Sequence, residues 1–263
     1  MNEMKRIILV LILFVALHPF MLFSEQWVKT YGGSGNDRAY SIKPTSDGGY
    51  VVVGYTESYG TRERDIWVLK LGSGGDVEWQ RAYGGWNIEW DSSIQETSDG
   101  GYVVAGYTMS FGTGFYDIWI FKLDSGGDVE WQHTCGGAVN DYGRSILQTS
   151  DGGYIVSGCT YSVGSGSCDG LIIKLDSAGD VEWQRLYGGA DRDFIMYIQE
   201  TSDGGIIAAG HTRSYGAGEY DIWVFKLDID GDIKWQRTYG GGSNDHVRSI
   251  QQTGDDGYIV SGR

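Results

Sequence analysis

The 263-residue sequence predicts an all-β repeat fold, on three observations. Glycine supplies 43 residues, about 16% against a usual ~7%, while proline supplies only 2. Helices do not tolerate this much glycine. Asp-Gly and Gly-Gly pairs lie between aromatic and β-branched runs, which is the chemistry of strands joined by tight turns. Third, the hexapeptide Thr-Ser-Asp-Gly-Gly-Tyr at Thr45–Tyr50 returns from residues 97 and 149, then as Thr201–Ile206 and, degraded, as Thr253–Tyr258, a period of 52 without slip. The glycines are not spaced every third residue, so collagen is excluded. A composition 41% hydrophobic and 14% aromatic excludes disorder.

The elements follow in chain order. Lys5 and Arg6 precede an apolar run, Ile7 to Leu17, that His18 and Pro19 interrupt. A basic start, a short apolar stretch and the small residue Ser24 predict a secretory signal peptide over residues 1–24. An uncleaved anchor is the alternative, but the run falls short of the ~20 residues that span a bilayer. Residues 25–263 then form the repeat domain, and the chain belongs outside the cytoplasm: secreted, periplasmic or at the cell surface. Net charge is −15, which argues against nucleic acid and against anionic lipid, leaving membrane contact only to an uncleaved segment.

Each unit reads as four strands. In the second unit they are residues 91–96, 102–108, 118–123 and, from the preceding turn, 77–83. The Ser98-Asp99-Gly100-Gly101 and Asp124-Ser125-Gly126-Gly127-Asp128 turns separate them, supplying positive φ cheaply. Four antiparallel strands every 40–50 residues make the blade of a β-propeller, so the expected fold is a propeller of about five four-stranded blades. A parallel β-helix is the structural alternative. With strands named a to d from the axis outward, the chain enters on a d strand at Trp27 and reaches Arg263 inside a b strand, with only four c strands. Either the last blade is irregular and incomplete, or the chain is a fragment of a longer reading frame.

The succession Tyr-Gly-Gly-x-x-x-Asp, Ser-Asp-Gly-Gly-Tyr-Val-Val-x-Gly-Tyr-Thr, Asp-x-Trp-x-x-Lys-Leu and Gly-Asp-Val-x-Trp-Gln resembles the secreted bacterial β-propeller repeat proteins. It is similar in layout to the seven-bladed β-propeller repeat, over roughly residues 26–263. The resemblance implies an extracytoplasmic propeller and hands over no catalytic residue.

Strand parity places the a–b and c–d turns on one face and the b–c and d–a loops on the other. The second face collects the segments that vary between copies, so the ligand is expected there. Its regular polar feature is a carboxylate at one register: Asp37, Glu89, Asp141, Asp193 and Asp245. These either ring the channel, attracting a cation or sugar hydroxyls, or cap their own loops. Tyr59, Phe111 and Tyr215, with Val163 at the same register, either stack on a glycan or pack the loops. On the opposite face Asp228, Asp230 and Asp232 form a truncated calcium loop or a plain hairpin turn. Cys159 and Cys168 bracket one b–c loop and could form a disulfide in an oxidising compartment.

The expected function is a non-enzymatic binding or scaffold module, meeting a protein or glycan at a cell surface, without a cofactor unless calcium binds. His133, His211 and His246 are scattered, and no nucleophile elbow or phosphate loop occurs. A quinoprotein-like dehydrogenase, whose propellers also carry regularly spaced tryptophans, and a glycoside-acting propeller are the enzymatic alternatives.

Overall fold

The computed structural model describes residues 27–61 and 63–263; the expected signal peptide, residues 1–24, lies outside the described residues. The chain divides into Met1–Thr30 and Tyr31–Arg263. In the first unit, residues 27–30 carry no regular structure. The second holds four antiparallel four-stranded sheets and a hairpin, and among the described residues no helix forms.

The first sheet runs β1 (Asp37–Pro44), β2 (Tyr50–Thr56), β3 (Asp65–Leu71) and β4 (Val77–Tyr83). The second runs β5 (Glu89–Glu96), β6 (Tyr102–Thr108), β7 (Asp117–Leu123) and β8 (Val129–Cys135). The third contains β9 (Asp141–Gln148), β10 (Tyr154–Thr160), β11 (Asp169–Leu175) and β12 (Val181–Tyr187). The fourth contains β13 (Asp193–Glu200), β14 (Ile206–Thr212), β15 (Asp221–Leu227) and β16 (Ile233–Tyr239). The fifth unit is the hairpin β17 (Val247–Gln252) and β18 (Tyr258–Gly262). The fold is therefore the expected propeller, with four complete blades and a two-stranded fifth. The d strand expected at Trp27 does not form, since residues 27–36 contain no strand. A d strand needs a c strand beside it, and each of the four c strands already pairs with the d strand of its own blade.

Burial explains why these segments become these strands. Apart from an opening Asp and one Lys, the c strands are apolar on both faces, and they are wholly buried in three blades, as strands sandwiched between neighbouring blades must be. The d strands alternate and face outward. Tyr83 and the half-buried Trp79 pack against Tyr102 and Phe121 of the next blade, joining the two sheets in one core. The Tyr83 hydroxyl donates to the Gly127 carbonyl (2.6 Å), and Tyr187 does the same to Gly231 (2.7 Å). Tyr31 bonds Gly75 in the same way (2.7 Å), so it takes on the first blade the place Tyr83 takes on the second. Blades thus dock head to tail through residues 44 positions apart. The first blade's outer face is more open: Ile42 is 57% exposed where its counterpart Ile94 is 0%.

The a–b turns are held by a lysine that sequence reading did not single out. In the second blade, Lys122 Nζ donates to the Leu123 carbonyl (3.1 Å) and pairs with Asp99 and Glu130 (both 2.9 Å). Asp99 also accepts from the Thr97 hydroxyl (2.5 Å) and the Gly101 N–H (3.0 Å). Desolvation pushes the Asp99 carboxyl up, but the Thr97, Lys122 and Gly101 donors outweigh it and bring its pKa down to about 2. Asp151 falls likewise to about 2, and Asp47 and Asp203 shift in the same direction. A carboxyl depressed below its unfolded ~3.9 adds stability above that pH and loses it as pH falls toward the folded value. The thermal midpoint is therefore expected to drop between about pH 4 and pH 2. Asp99→Asn should lower it at pH 7 and leave it unchanged below pH 2. Because Asp99 is half exposed, the difference at pH 7 should stay below roughly 1 kcal/mol. Melts of both proteins across this range check it; an equal gap at pH 2 would contradict the linkage.

Candidate functional site

The five carboxylates of the repeated register sit where the d–a loop enters each a strand. Asp37 accepts from the Gly33 N–H (2.8 Å) and from the Thr56 and Ser58 hydroxyls (2.5 and 2.7 Å). Asp141 accepts from Gly137 (2.8 Å) and Ser162 (2.7 Å), Asp193 from Gly189 (2.8 Å) and Ser214 (2.6 Å), and Asp245 from Gly241 (2.9 Å). Glu89 reaches the Gly85 N–H (3.2 Å) and the Thr108 hydroxyl (2.8 Å), and burial pushes its pKa up. A second carboxylate, at the start of each c strand, lies against the same junction. A Cβ on Gly136 would stand 2.7 Å from the Asp141 carboxylate and closer still to Asp117, so the register demands glycine there. None of these carboxylates lines the axial cavities described below.

The loop aromatics rest on the c-strand tryptophans. Tyr59 lies 5.7 Å from Trp67, Phe111 5.2 Å from Trp119 and Tyr215 5.7 Å from Trp223, each roughly a third exposed. The third blade has Val163 and Leu171 at these two registers, and a cavity of about 320 Å³ opens between them. On the opposite face, Asp228 pairs with Lys234 (2.5 Å) and accepts the Asp232 N–H (2.8 Å), while Asp232 pairs with Arg185. Among the described residues no three metal-binding side chains converge. Cys159 and Cys168 are both buried, as free thiols. The hydrogen bond it shares with its neighbour Cys159, with burial behind it, drives the Cys168 thiol pKa far up, and its Sγ lies 3.8 Å from the Asp193 carbonyl it donates to.

Two cavities lie on the axis. One, of about 780 Å³, is lined by all five innermost strands, with Lys43, Ile94, Leu147, Ile198 and Ile250 among them. The other, of about 560 Å³, shares Lys43, Ser93 and Ser145 with it and lies toward the face of the b–c and d–a loops. There it is ringed by Tyr40, Trp90, Tyr107, Arg144 and Met196. A repeated irregularity puts Tyr40, Arg144 and Met196 there. Each a strand slips register against its b strand by one residue, and the extra residue is Tyr40, Ser92, Arg144, Met196 or Arg248 in successive units. Bulges re-aim a side chain and occur beside functional sites. This register differs in nearly every copy, whereas the next residue is Ser41, Ser93, Ser145 and Ser249 in four units.

The mouth is unusually rich in rings and guanidinium groups. Arg64 lies between Tyr55 and Trp90, 4.0 and 4.1 Å from their centroids. Arg144 lies 5.5 and 5.4 Å from Tyr107 and Tyr142. His211 and His246, which sequence spacing left apart, meet at 4.7 Å. Desolvation and the neighbouring His246 lower the His211 pKa to about 4, so it is neutral at pH 7.

No family model matches the chain. The regulatory protein FlaEY of Caulobacter vibrioides is 25% identical over 192 residues, 62% of this chain; the chain spans about a fifth (20%) of that relative's length. Among solved structures, puromycin hydrolase superposes with a TM-score of 0.53 at 12% identity, over 86% of this chain and 36% of its own. A mutant of that enzyme complexed with PGG gives 0.55 at 13% identity over the same shares. Likeness at this level concerns the fold. With four radial sheets around a common cavity, it defines the class: a β-propeller repeat protein.

Proposed function

We propose that the chain is an exported, non-enzymatic binding or scaffold module whose ligand docks at the axial mouth on the face of the b–c and d–a loops. The carrying observation is the separation of repeated from unrepeated residues. Side chains kept at one register in every blade are engaged with their own blade or the next. The changing residues Tyr40, Arg144 and Met196 meet, beside the recurring serines, around one cavity whose 560 Å³ falls within the range of small-ligand sites. The bulge positions that line it hold three different residues, Tyr40, Arg144 and Met196, which serves one off-repeat ligand better than five equal copies would. The repeated carboxylates each accept from their own loop or b strand, with Asp141 Oδ1 buried and unpartnered among the described residues, so they are poorly free to act as an acid–base pair. The acidic surface favours a protein or glycan partner at a cell surface over nucleic acid. The basic and apolar residues of 1–24 support export to the periplasm or beyond, and calcium is a proposal only for the Asp228, Asp230 and Asp232 turn.

A glycan array probed with residues 25–263 tests the reading. Binding is expected, with at least a tenfold loss in Trp90→Ala at the mouth and little change in Tyr215→Ala on the rim. A blank array, together with no retention on bacterial surfaces, would reject the module. Reduction of a redox dye after adding quinone and calcium would instead place the chain among enzymes.

A further inference from the structure

The chemistry of the ligand follows from which cations the fold leaves without a carboxylate. Lys70, Lys122, Lys174 and Lys226 are ion-paired within their own blades. Arg81 and Arg185 pair with the turn of the next blade, and Arg64 and Arg213 pair within their b–c loops. The cations of the innermost strands are different. Arg38, Lys43, Arg144 and Arg248 have no carboxylate partner among the described residues. Arg192 and Arg237 lack one too, on a d–a loop and an outer strand, but four such cations stand on the innermost strands of a chain of net charge −15, and Lys43 and Arg144 line the axial cavity. Fields focus in such a cleft, and the focus here is for an anion.

Arg144 makes the focus specific. The bulge between Ser145 and Gly143 presents it to the cavity, two tyrosine rings flank its guanidinium, and its Nε is buried without a hydrogen-bond partner. A buried donor left unpaired is costly, and a carboxylate accepting two parallel N–H bonds would satisfy it. Lys43 enters the same cavity from another blade; no carboxylate lines this one, while Glu96 and Glu200 line the adjoining axial cavity that Lys43 also borders. The remaining wall supplies the Ser41, Ser93 and Ser145 hydroxyls and the Tyr40 and Trp90 rings. Hydroxyls and aromatic faces suit a polyhydroxylated ring. Phosphate chains are usually cradled by helix N-termini or runs of backbone N–H groups, and this wall is made of paired strands.

We propose that the axial cavity binds an acidic sugar residue, its carboxylate held by Arg144 and Lys43 and its ring face laid against the exposed Tyr40. This deepens the binding-module reading and rests on it. Titration calorimetry at low salt tests it, using an oligogalacturonate, a neutral galacto-oligosaccharide of equal length and AMP. The acidic sugar is expected to bind, weakening as salt rises, with the neutral sugar and AMP at least tenfold weaker. Arg144→Gln should cost at least tenfold and Lys43→Gln several-fold, while Arg81→Gln on the outer rim leaves affinity unchanged. Lys43 is exposed, so its variant keeps the test valid if Arg144→Gln fails to fold. Equal binding of both sugars, unchanged by Arg144→Gln, would overturn the acidic chemistry and leave the module standing. Preference for AMP would overturn it in favour of a nucleotide. Silence from all three probes overturns it too, and the array then decides separately whether the module survives.

Discussion

Gly210→Ala is expected to destabilise the protein by about 3 kcal/mol or more and to unravel the fourth blade. Gly210 lies within β14, opposite the bulge at which β13 slips register between Ile195 and Tyr197. The slip pushes the β13 backbone onto the glycine. A Cβ there would stand 2.7 Å from the Phe194 carbonyl carbon, 3.1 Å from Ile195 Cα and inside the carbonyl oxygen itself. These are backbone atoms held by a paired ladder, so no rotamer change can make room. Either the bulge is lost, with one residue of register, or the ladder opens. Losing the register would turn Met196 and the rest of β13 to the wrong faces. Gly254→Ala is the contrast: nothing stands within 4 Å of its added methyl, and the change should stay within about 0.5 kcal/mol. Urea unfolding of the two variants measures both. Similar midpoints would mean that the bulge is soft and plays no part in holding Met196 and its counterparts at the axis.

Gly210 also marks where sequence reading stopped. Hairpin glycines declare themselves, because Asp-Gly and Gly-Gly between apolar runs have one simple use. Gly48, Gly100, Gly152 and Gly204 all adopt φ near +80°, and the degraded fifth copy forces Asp256 to φ 62° at the same register. The strand limits of the second blade came within two residues for the same reason. A lone glycine inside a strand has several uses, and bulge and close approach are two of them. Without the bulge, residues 40, 144 and 196 look like ordinary strand positions, so their gathering at the axial cavity was not legible. The repeated carboxylates drew attention instead, because regularity is visible in a sequence. Regularity marks what each blade needs for itself. The chosen face was readable from strand parity alone, but the cluster upon it joins residues from different units, such as Arg64 with Trp90 and His211 with His246.

The buried lysine was equally visible and equally overlooked: a charged residue at one register of four c strands that are apolar between it and their opening aspartate. Lys122→Ala is expected to cost about 3 kcal/mol, more than Lys122→Met at about 1–2 kcal/mol. The stem and the ammonium contribute separately. Lys122 is 1% exposed, so truncation to alanine removes buried methylenes between blades and leaves a cavity. The ammonium ties three places at once: the Leu123 carbonyl, the a–b turn through Asp99 and the d strand through Glu130. Methionine keeps the packing and loses only the charge. Its penalty is moderated because Asp99 and Glu130 are half exposed, so water can solvate them once the lysine is gone. The order of the two variants therefore carries the argument. Chemical denaturation of both should place Lys122→Met nearer the parent protein. Were methionine as harmful as alanine, the turn and d strand would depend on the charge itself. The neutral core would then be a secondary support, and Lys226, whose d strand offers Lys234 where the others offer glutamate, would hold its blade by Asp203 alone.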